Sequence, residues 1–190
     1  MLVRQPREAL FFGAPLQLSL IPEAQVGLNF GLRLHDAKYL HFDFRIQVGP
    51  ALFSLAMPEA PSLNPARTVR AKLMPDHAPL HLGSEHVIPE GRAGAGPTMP
   101  VDLGEIIPIV KTYSTYEQEM LDQIARGDVR FRMNGTHLKG LWRLSSLDRI
   151  HWSLRKLEDE YASRTQILRL DRSVKTGITL EDLKRRFTKA

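Results

Sequence analysis

The chain has 190 residues, of which 43% are hydrophobic and 25% are charged, which is typical of one globular domain with a sizeable core. It contains no cysteine, and this excludes disulfides, zinc–thiolate sites, iron–sulfur clusters and cysteine nucleophiles. The net charge of +5 favours a polyanionic partner, and we expect a cytoplasmic protein because the sequence shows neither a signal peptide nor a membrane-length apolar run.

The first clear pattern in chain order covers residues 39–48, where polar and apolar side chains alternate without a break. This period is typical of a strand that buries one face. The strand ends at Gly49-Pro50, and further strands are predicted at 51–57 and 68–73. Upstream of them, the first thirty residues offer one short candidate strand, LQLSLI, after a loose arm.

The middle of the chain has fewer regular elements. Residues 75–100 are rich in proline and glycine, which predicts ordered loops around a site. Residues 101–110 are interpreted as one or two short strands. A helix is then predicted to begin after Thr115, which caps it in a capping box with Gln118, and to reach about Arg126.

The remaining part returns to the strand pattern. Apolar residues alternate from 129 to 133, the turn signal Asn134-Gly135 follows, and a partner strand is predicted at 138–147. One more strand is predicted at 152–157 and a short helix at about 180–187. Together these elements predict a mainly β protein, a compact antiparallel β-barrel with one or two short flanking helices.

The polar face of the 39–48 strand carries an unusual set of side chains. His41, Asp43 and Arg45 share this face by spacing, and His35 lies just upstream. Two histidines and one carboxylate can hold a divalent cation with open coordination positions, and an arginine beside them can form paired hydrogen bonds to a phosphate. This combination favours phosphoester cleavage, although the same ligand set serves non-haem iron oxygenases and such residues also occur on ordinary solvated strands.

Two weaker signals lie in the 75–100 region. His77 is interpreted either as a structural loop histidine or as a phosphate contact. His77 and His81 have the spacing of a helical zinc pair, but the prolines around them argue against a helix. The glycines of PEGRAGAG (89–96) are not placed between a strand and a helix, so we interpret them as a tight bend and not as a nucleotide-binding loop.

The segment HDAKYLHFDFR (35–45) resembles the signature of the 3′-phosphoesterase domain of bacterial DNA ligase D. The resemblance continues collinearly through further segments. They are MPEAPSLNP (57–65), PDHAPL (75–80), VIPEGRAGAG (87–96), HLKGLWRL (137–144), HWSLRKLEDEYA (151–162) and SVKTGITLEDL (173–183).

The resemblance implies a compact β-barrel that trims DNA 3′ ends in a manganese-dependent reaction, removing a terminal ribonucleoside and then a 3′-phosphate. By their positions in the matching motifs, five residues are implied to be catalytic. His35, His41 and Asp43 would be the metal ligands, and Arg45 and His77 would bind the phosphate. Arg70 corresponds to a further substrate-binding arginine of the family.

The resemblance also divides the chain. It implies an N-terminal arm at 1–30, the barrel domain at 31–162, and a C-terminal extension with a short helix at 163–190. DNA with a 3′ end in a primer–template is the implied partner. A ligase or polymerase for end joining would come from separate chains, and no membrane partner is expected.

Several family features are changed or missing. The family's basic and acidic N-terminal arm is not found, and His81 or Leu82 occupies the region of its phosphate-binding tyrosine. Three residues replace a glutamine, a lysine and a glutamate of the family, respectively: Arg33, Glu59 and Pro75. The sequence therefore leaves two hypotheses open, an active metal-dependent phosphoesterase and a non-catalytic nucleic-acid or protein-interaction domain with the same barrel.

Overall fold

A computed structural model describes residues 27–109, 112–113 and 115–188, without the side chains of Asp76 and Thr188. The candidate strand LQLSLI lies outside the described residues. The elements, in chain order, are β1 (Leu28–Asp36), β2 (Leu40–Val48), β3 (Ala51–Met57), β4 (Val69–His77), β5 (His86–Ile88), β6 (Gly96–Pro108), α1 (Tyr116–Arg126), β7 (Asp128–Gly135), β8 (Lys139–Ser146), β9 (His151–Lys156) and α2 (Leu180–Thr188).

The nine strands form one antiparallel sheet, and eight of them close into a barrel. The strand order is β1-β2-β3-β4-β9-β8-β7-β6, and β6 pairs back onto β1 to complete the ring. The short β5 adds to the beginning of β6 outside this ring. The predicted fold class, a mainly β antiparallel barrel with two short helices, is confirmed.

Alternation along the strands fills the barrel interior with apolar side chains. Along β7, buried residues alternate strictly with exposed ones, as the sequence pattern predicted. Phe44 of β2 lies between Phe30 and Phe131, with ring centroids 6.0 and 6.4 Å away, respectively, and all three rings are fully buried. Each such side chain contributes about 1.5–3 kcal/mol by leaving water, so this cluster fixes the inward face of every strand that joins it.

The opposite, outward face of β1 and β2 is also buried, which is unusual for a small barrel. Arg33 and His35 of β1, and Asp43 and Arg45 of β2, are each at most 8% exposed. Residues 78–95, which we call the strap, cross over this face and hydrogen-bond to three of these side chains. The polar face noted in the sequence therefore lies between the barrel wall and the strap, and the barrel interior remains apolar.

Some elements differ from those predicted. β1 was not predicted, although the segment Leu28–Asp36 alternates in the same way as β2. The predicted strand region at 101–110 corresponds to one longer strand, β6, which begins at Gly96 and ends at Pro108. Helix α1 is capped as predicted, because Thr115 Oγ1 accepts a hydrogen bond from the Gln118 backbone at 3.2 Å and Gly127 ends the helix with φ of 74°.

The C-terminal segment packs against the barrel and the strap. Leu170, Ile178 and Leu183 join the buried apolar cluster. The Val174 backbone donates to the carbonyl of Pro100 at 3.0 Å. The domain boundaries at 30 and 162 remain predictions. Across the described ranges, no helix has the length and apolar character needed to cross a membrane.

Candidate active site

The three predicted metal ligands meet beside the turn that joins β1 to β2. His35 and His41 are cross-strand partners in this hairpin, and Asp43 follows two residues later on the same face of β2. His35 Nδ1 lies 3.7 Å from Asp43 Oδ2, and His41 Nε2 lies 3.4 Å from Asp43 Oδ1. The potential ligand atoms are all within 4.8 Å of one another, so the hairpin register brings the three residues together.

One hydrogen bond to a backbone carbonyl orients each histidine ring and so fixes which of its two nitrogens faces Asp43. His35 Nε2 lies 2.8 Å from the carbonyl oxygen of Gly94, and His41 Nδ1 lies 2.8 Å from that of Tyr39. Because a carbonyl oxygen only accepts, these nitrogens carry hydrogens, and the other nitrogen of each ring faces the carboxylate, as a lone pair when the ring is neutral and as an N–H donor when it is protonated. Lone pairs and a carboxylate repel one another unless a proton or a cation lies between them. The donor set therefore fits a divalent metal.

The charge of Asp43 is held in place by its neighbours. Burial by itself would raise the pKa of the Asp43 carboxyl, but the contacts with His35 and His41 and the positive charge of Arg45 lower this pKa well below its usual range. Arg45 donates a hydrogen bond to Asp43 Oδ2 at 2.8 Å. The interaction with Asp43 also raises the pKa of His41. Asp43 is thus ionised and oriented at neutral pH, as a metal ligand must be.

A cleft of about 640 Å³ extends from these ligands between the barrel wall and the strap. Arg45, Ser54 and His77 line it from three neighbouring strands. His77 Nδ1 lies 3.1 Å from Ser54 Oγ, and the Ser54 hydroxyl donates its hydrogen to the carbonyl of Leu52. Ser54 therefore accepts a hydrogen bond from His77 and orients its ring at the wall of the cleft.

Two further histidines, His81 and His86, line the same cleft from the strap and β5. Their ring centroids are 6.0 Å apart, and that of His81 is 6.4 Å from that of His77. Burial, followed by the positive charge of a nearby arginine, lowers the pKa values of all three imidazoles. They are therefore neutral at neutral pH and offer the cleft hydrogen-bonding groups without adding charge.

Arg33 forms part of the cleft wall. It is fully buried and donates hydrogen bonds to the carbonyl oxygens of His81 and Leu82 at 3.0 and 3.2 Å, and to Thr98 Oγ1 at 3.0 Å. Burial and then the charge of Arg45 lower the pKa of Arg33 to about 10, so it remains protonated at neutral pH. In the sequence, Arg33 was visible only as a replacement of a family glutamine.

The glycine cluster of the strap allows its backbone to approach the metal ligands. Gly94 supplies the carbonyl that holds His35, and a Cβ atom there would lie 3.3 Å from the ring of His35. Gly96 has φ of 136°, and a Cβ atom there would overlap the carbonyl oxygen of Asp36. The interpretation of this cluster as a tight bend agrees with this geometry, and the bend positions the ring of His35.

Other residues named from the sequence lie elsewhere. Arg70 is exposed on the outer face of β4 and does not line the cleft, so the structure does not bring it to the other five residues. Glu59 pairs with exposed Arg67 at 3.0 Å, away from the cleft. Sequence reasoning also missed Ser54, although a polar residue within the otherwise apolar segment 51–57 was a usable signal.

Comparisons with known proteins agree with this site. The family model of the DNA ligase D 3′-phosphoesterase domain matches residues 33–146. The multifunctional non-homologous end joining protein LigD of Pseudomonas aeruginosa is 32% identical over 117 residues, which is 62% of this chain and 13% of that protein. The DNA repair protein LigD of Mycobacterium tuberculosis is 27% identical over 134 residues, which is 70% of this chain and 16% of that protein.

The chain thus spans less than a fifth of the length of these curated relatives. The matched segment contains the three candidate metal ligands, the strap and most of the barrel. Since the family model covers more than half of the chain, the protein belongs to the DNA ligase D 3′-phosphoesterase domain family.

Proposed function

We propose that this protein is a metal-dependent phosphoesterase that acts on DNA 3′ ends, removing a 3′-phosphate or a 3′-terminal ribonucleoside during DNA repair. The observation that carries the proposal is the arrangement of His35, His41 and Asp43, in which one nitrogen of each imidazole faces the carboxylate. Family membership supports the reaction class, and the relatives' names refer to non-homologous end joining.

We propose that the bound metal is manganese, held by His35, His41 and Asp43. When bound, a divalent metal of this kind supplies a Lewis acid and lowers the pKa of a coordinated water. Arg45 lies next to the ligands and carries a permanent charge for the phosphate oxygens. His77 is oriented by Ser54 at the cleft wall. As an imidazolium, which a bound phosphate would stabilise, it can bind the phosphate through Nε2–H or donate that proton to the leaving group.

We also propose where and with what the protein acts. DNA is the substrate, with affinity supplied mainly by contacts between basic side chains and phosphates. The reaction takes place in the cytoplasm, and the ligation and polymerisation steps of end joining come from a ligase and a polymerase. The alternative, a non-catalytic nucleic-acid or protein-interaction domain, predicts metal and DNA binding without product release.

The decisive experiment is an assay of product release from primer–template DNA that ends in a 3′-phosphate or in a 3′ ribonucleotide. We expect release in the presence of manganese and none with a chelator. Asp43→Asn, which preserves the shape of the side chain, is expected to be inactive. His151→Ala changes an exposed histidine outside the cleft and is expected to match the parent. Binding of metal and DNA without release by the parent protein would favour the non-catalytic alternative.

A further inference from the structure

We propose that Arg33 makes the cleft bind a phosphate group with two negative charges more tightly than one with a single charge, and therefore prefer a terminal phosphate monoester to a diester without excluding the diester. This inference rests on the proposed function and names the substrate class of the same site. Arg33 contacts the strap and not the metal ligands directly, so we assign it a role in specificity.

The position of Arg33 places a second guanidinium beside Arg45. Arg33 is the cross-strand partner of Asp43, and Arg45 follows two residues later on the same face of β2. Both arginines donate to the carbonyl oxygen of His81, at 3.0 and 3.3 Å, respectively. Two like charges are therefore fixed close together, which is unfavourable unless an anion binds nearby.

The charges along the cleft do not balance. Asp43 is the one carboxylate among the described lining residues, and Arg45 is its ion-pair partner at 2.8 Å. Arg33 and the exposed Arg92 have no such partner in the lining. Glu85, which lies outside the lining, offsets only part of the charge of Arg33. The buried charge of Arg33 is therefore the excess positive charge deep in the cleft.

Unused hydrogen-bond donors support the same conclusion. In the described part of the chain, the Nε atoms of Arg33 and Arg45 are buried and have no hydrogen-bond acceptor. A buried donor without an acceptor costs about 1–3 kcal/mol, so the protein by itself leaves both guanidinium groups partly unsatisfied beside the cleft. The three neutral imidazoles of the cleft add donors and acceptors but no compensating charge.

The substrate classes differ by one charge. A phosphate monoester has a second pKa near 6 and carries close to two negative charges at neutral pH, whereas a diester carries one. In the protein without metal, Asp43 offsets Arg45 whichever substrate binds, so the extra charge of the monoester interacts mainly with Arg33. At a separation of several ångströms in a partly buried site, that interaction corresponds to a preference on the order of tenfold.

Arg33 also has a structural role, because its hydrogen bonds tie the strap to the barrel. The two roles predict different results for two substitutions. Arg33→Lys keeps the charge and loses most of the planar hydrogen-bonding pattern, whereas Arg33→Gln keeps a polar amide and loses the charge. Selectivity for charge should survive the first change and not the second.

The test measures the binding of two matched ligands, thymidine 3′-phosphate and its methyl ester, by calorimetry with chelator-treated protein, so that no turnover occurs. We expect the parent to bind the monoester about tenfold more tightly at pH 8. The ratio should fall to within about threefold in Arg33→Gln and persist in Arg33→Lys. Arg155→Gln removes an exposed arginine outside the cleft and should leave the ratio unchanged.

A further measurement needs no variant, which matters if Arg33→Gln does not fold. In the parent protein, the preference should disappear near pH 5, where the monoester carries a single charge. Equal binding of both ligands by the parent at pH 8, a preference that persists at pH 5, or an unchanged preference in folded Arg33→Gln would each overturn the inference. Loss of the preference in folded Arg33→Lys would do the same. These are binding results, so they stand apart from any failure of the proposed catalytic activity.

Discussion

His35 and His41 lie directly opposite each other on β1 and β2, with ring centroids 4.7 Å apart. They are only six residues apart in the chain, and the short turn between the strands fixes their register. Each ring is held by one backbone carbonyl, so its second nitrogen faces Asp43. The candidate metal site is therefore largely a property of one hairpin, and the strap adds the carbonyl that orients His35.

Removal of a metal ligand should abolish tight metal binding. His41→Ala and Asp43→Ala are each expected to weaken manganese binding by at least about a hundredfold, because loss of an outer-shell partner alone costs 10–100-fold. Isothermal titration calorimetry measures this directly. His137→Ala, a change of an exposed histidine outside the cleft, serves as the control. Parent-like affinity in either ligand variant would rule out the site.

Arg45→Ala should lower 3′-phosphate release by at least about a hundredfold, because it removes a charged donor from the developing phosphate charge. Metal affinity should fall less than in Asp43→Ala, since Arg45 orients the carboxylate without replacing it. The matched control is Arg70→Ala, which removes an exposed arginine of β4 outside the cleft. We expect its turnover to be within about twofold of the parent. A large loss in Arg70→Ala would restore the substrate role predicted from the sequence.

Ser54→Ala should lower kcat about three- to tenfold, the typical value of one hydrogen bond, because His77 loses the oxygen that orients it. Metal affinity should not change, since Ser54 does not contact the ligands. Steady-state kinetics and calorimetry on the same preparation separate these effects. Ser54→Thr should recover most of the activity, and Ser153→Ala on β9 is the matched control. An unchanged kcat in Ser54→Ala would mean that His77 does not depend on this contact.

Alanine should be tolerated at Gly91 of the strap but not at Gly96, the first residue of β6. Both glycines have positive φ, of 79° and 136°, but a Cβ atom at Gly91 meets nothing within 4 Å whereas one at Gly96 overlaps the backbone of Asp36. We expect Gly91→Ala to reduce the free energy of unfolding by about 1 kcal/mol and Gly96→Ala by about 3 kcal/mol. Urea denaturation followed by circular dichroism gives both values. Equal losses of stability in the two variants would contradict the close approach of Gly96 to the backbone of Asp36.

Lys156→Met should destabilise the barrel by about 3–5 kcal/mol, because it leaves the carboxylate of Asp159 buried without its partner. Lys156 is fully buried, and its Nζ also donates to the carbonyl oxygens of Leu141 and Leu157 at 3.1 Å. Lys72→Met, an exposed change on β4, should shift stability by no more than about 0.5 kcal/mol. Urea unfolding gives the free energy of unfolding of both variants. A similarly small loss in the two would show that the buried Lys156–Asp159 pair contributes little to stability.

The sequence by itself determined the barrel class, most strand positions and the set of residues proposed to bind metal and phosphate. Period-two alternation is a local property, so β2, β3 and β7 were predicted close to their observed bounds, and the capping pattern of Thr115 similarly located α1. His41, Asp43 and Arg45 lie on one strand, and spacing alone places them on one face.

Only the tertiary structure decided which side of the barrel that face occupies and what covers it. Ser54 comes from β3, and the strap brings His81 and His86. Their approach to β2 depends on sheet register and on long-range hydrogen bonds. Arg70 was placed at the site by position in a motif, yet it lies four residues before Met74, the residue on the same face of β4 that lines the cleft, and it is exposed there. Arg33 was visible only as a substitution, because the charge balance of a buried cleft depends on side chains brought together from separate parts of the chain.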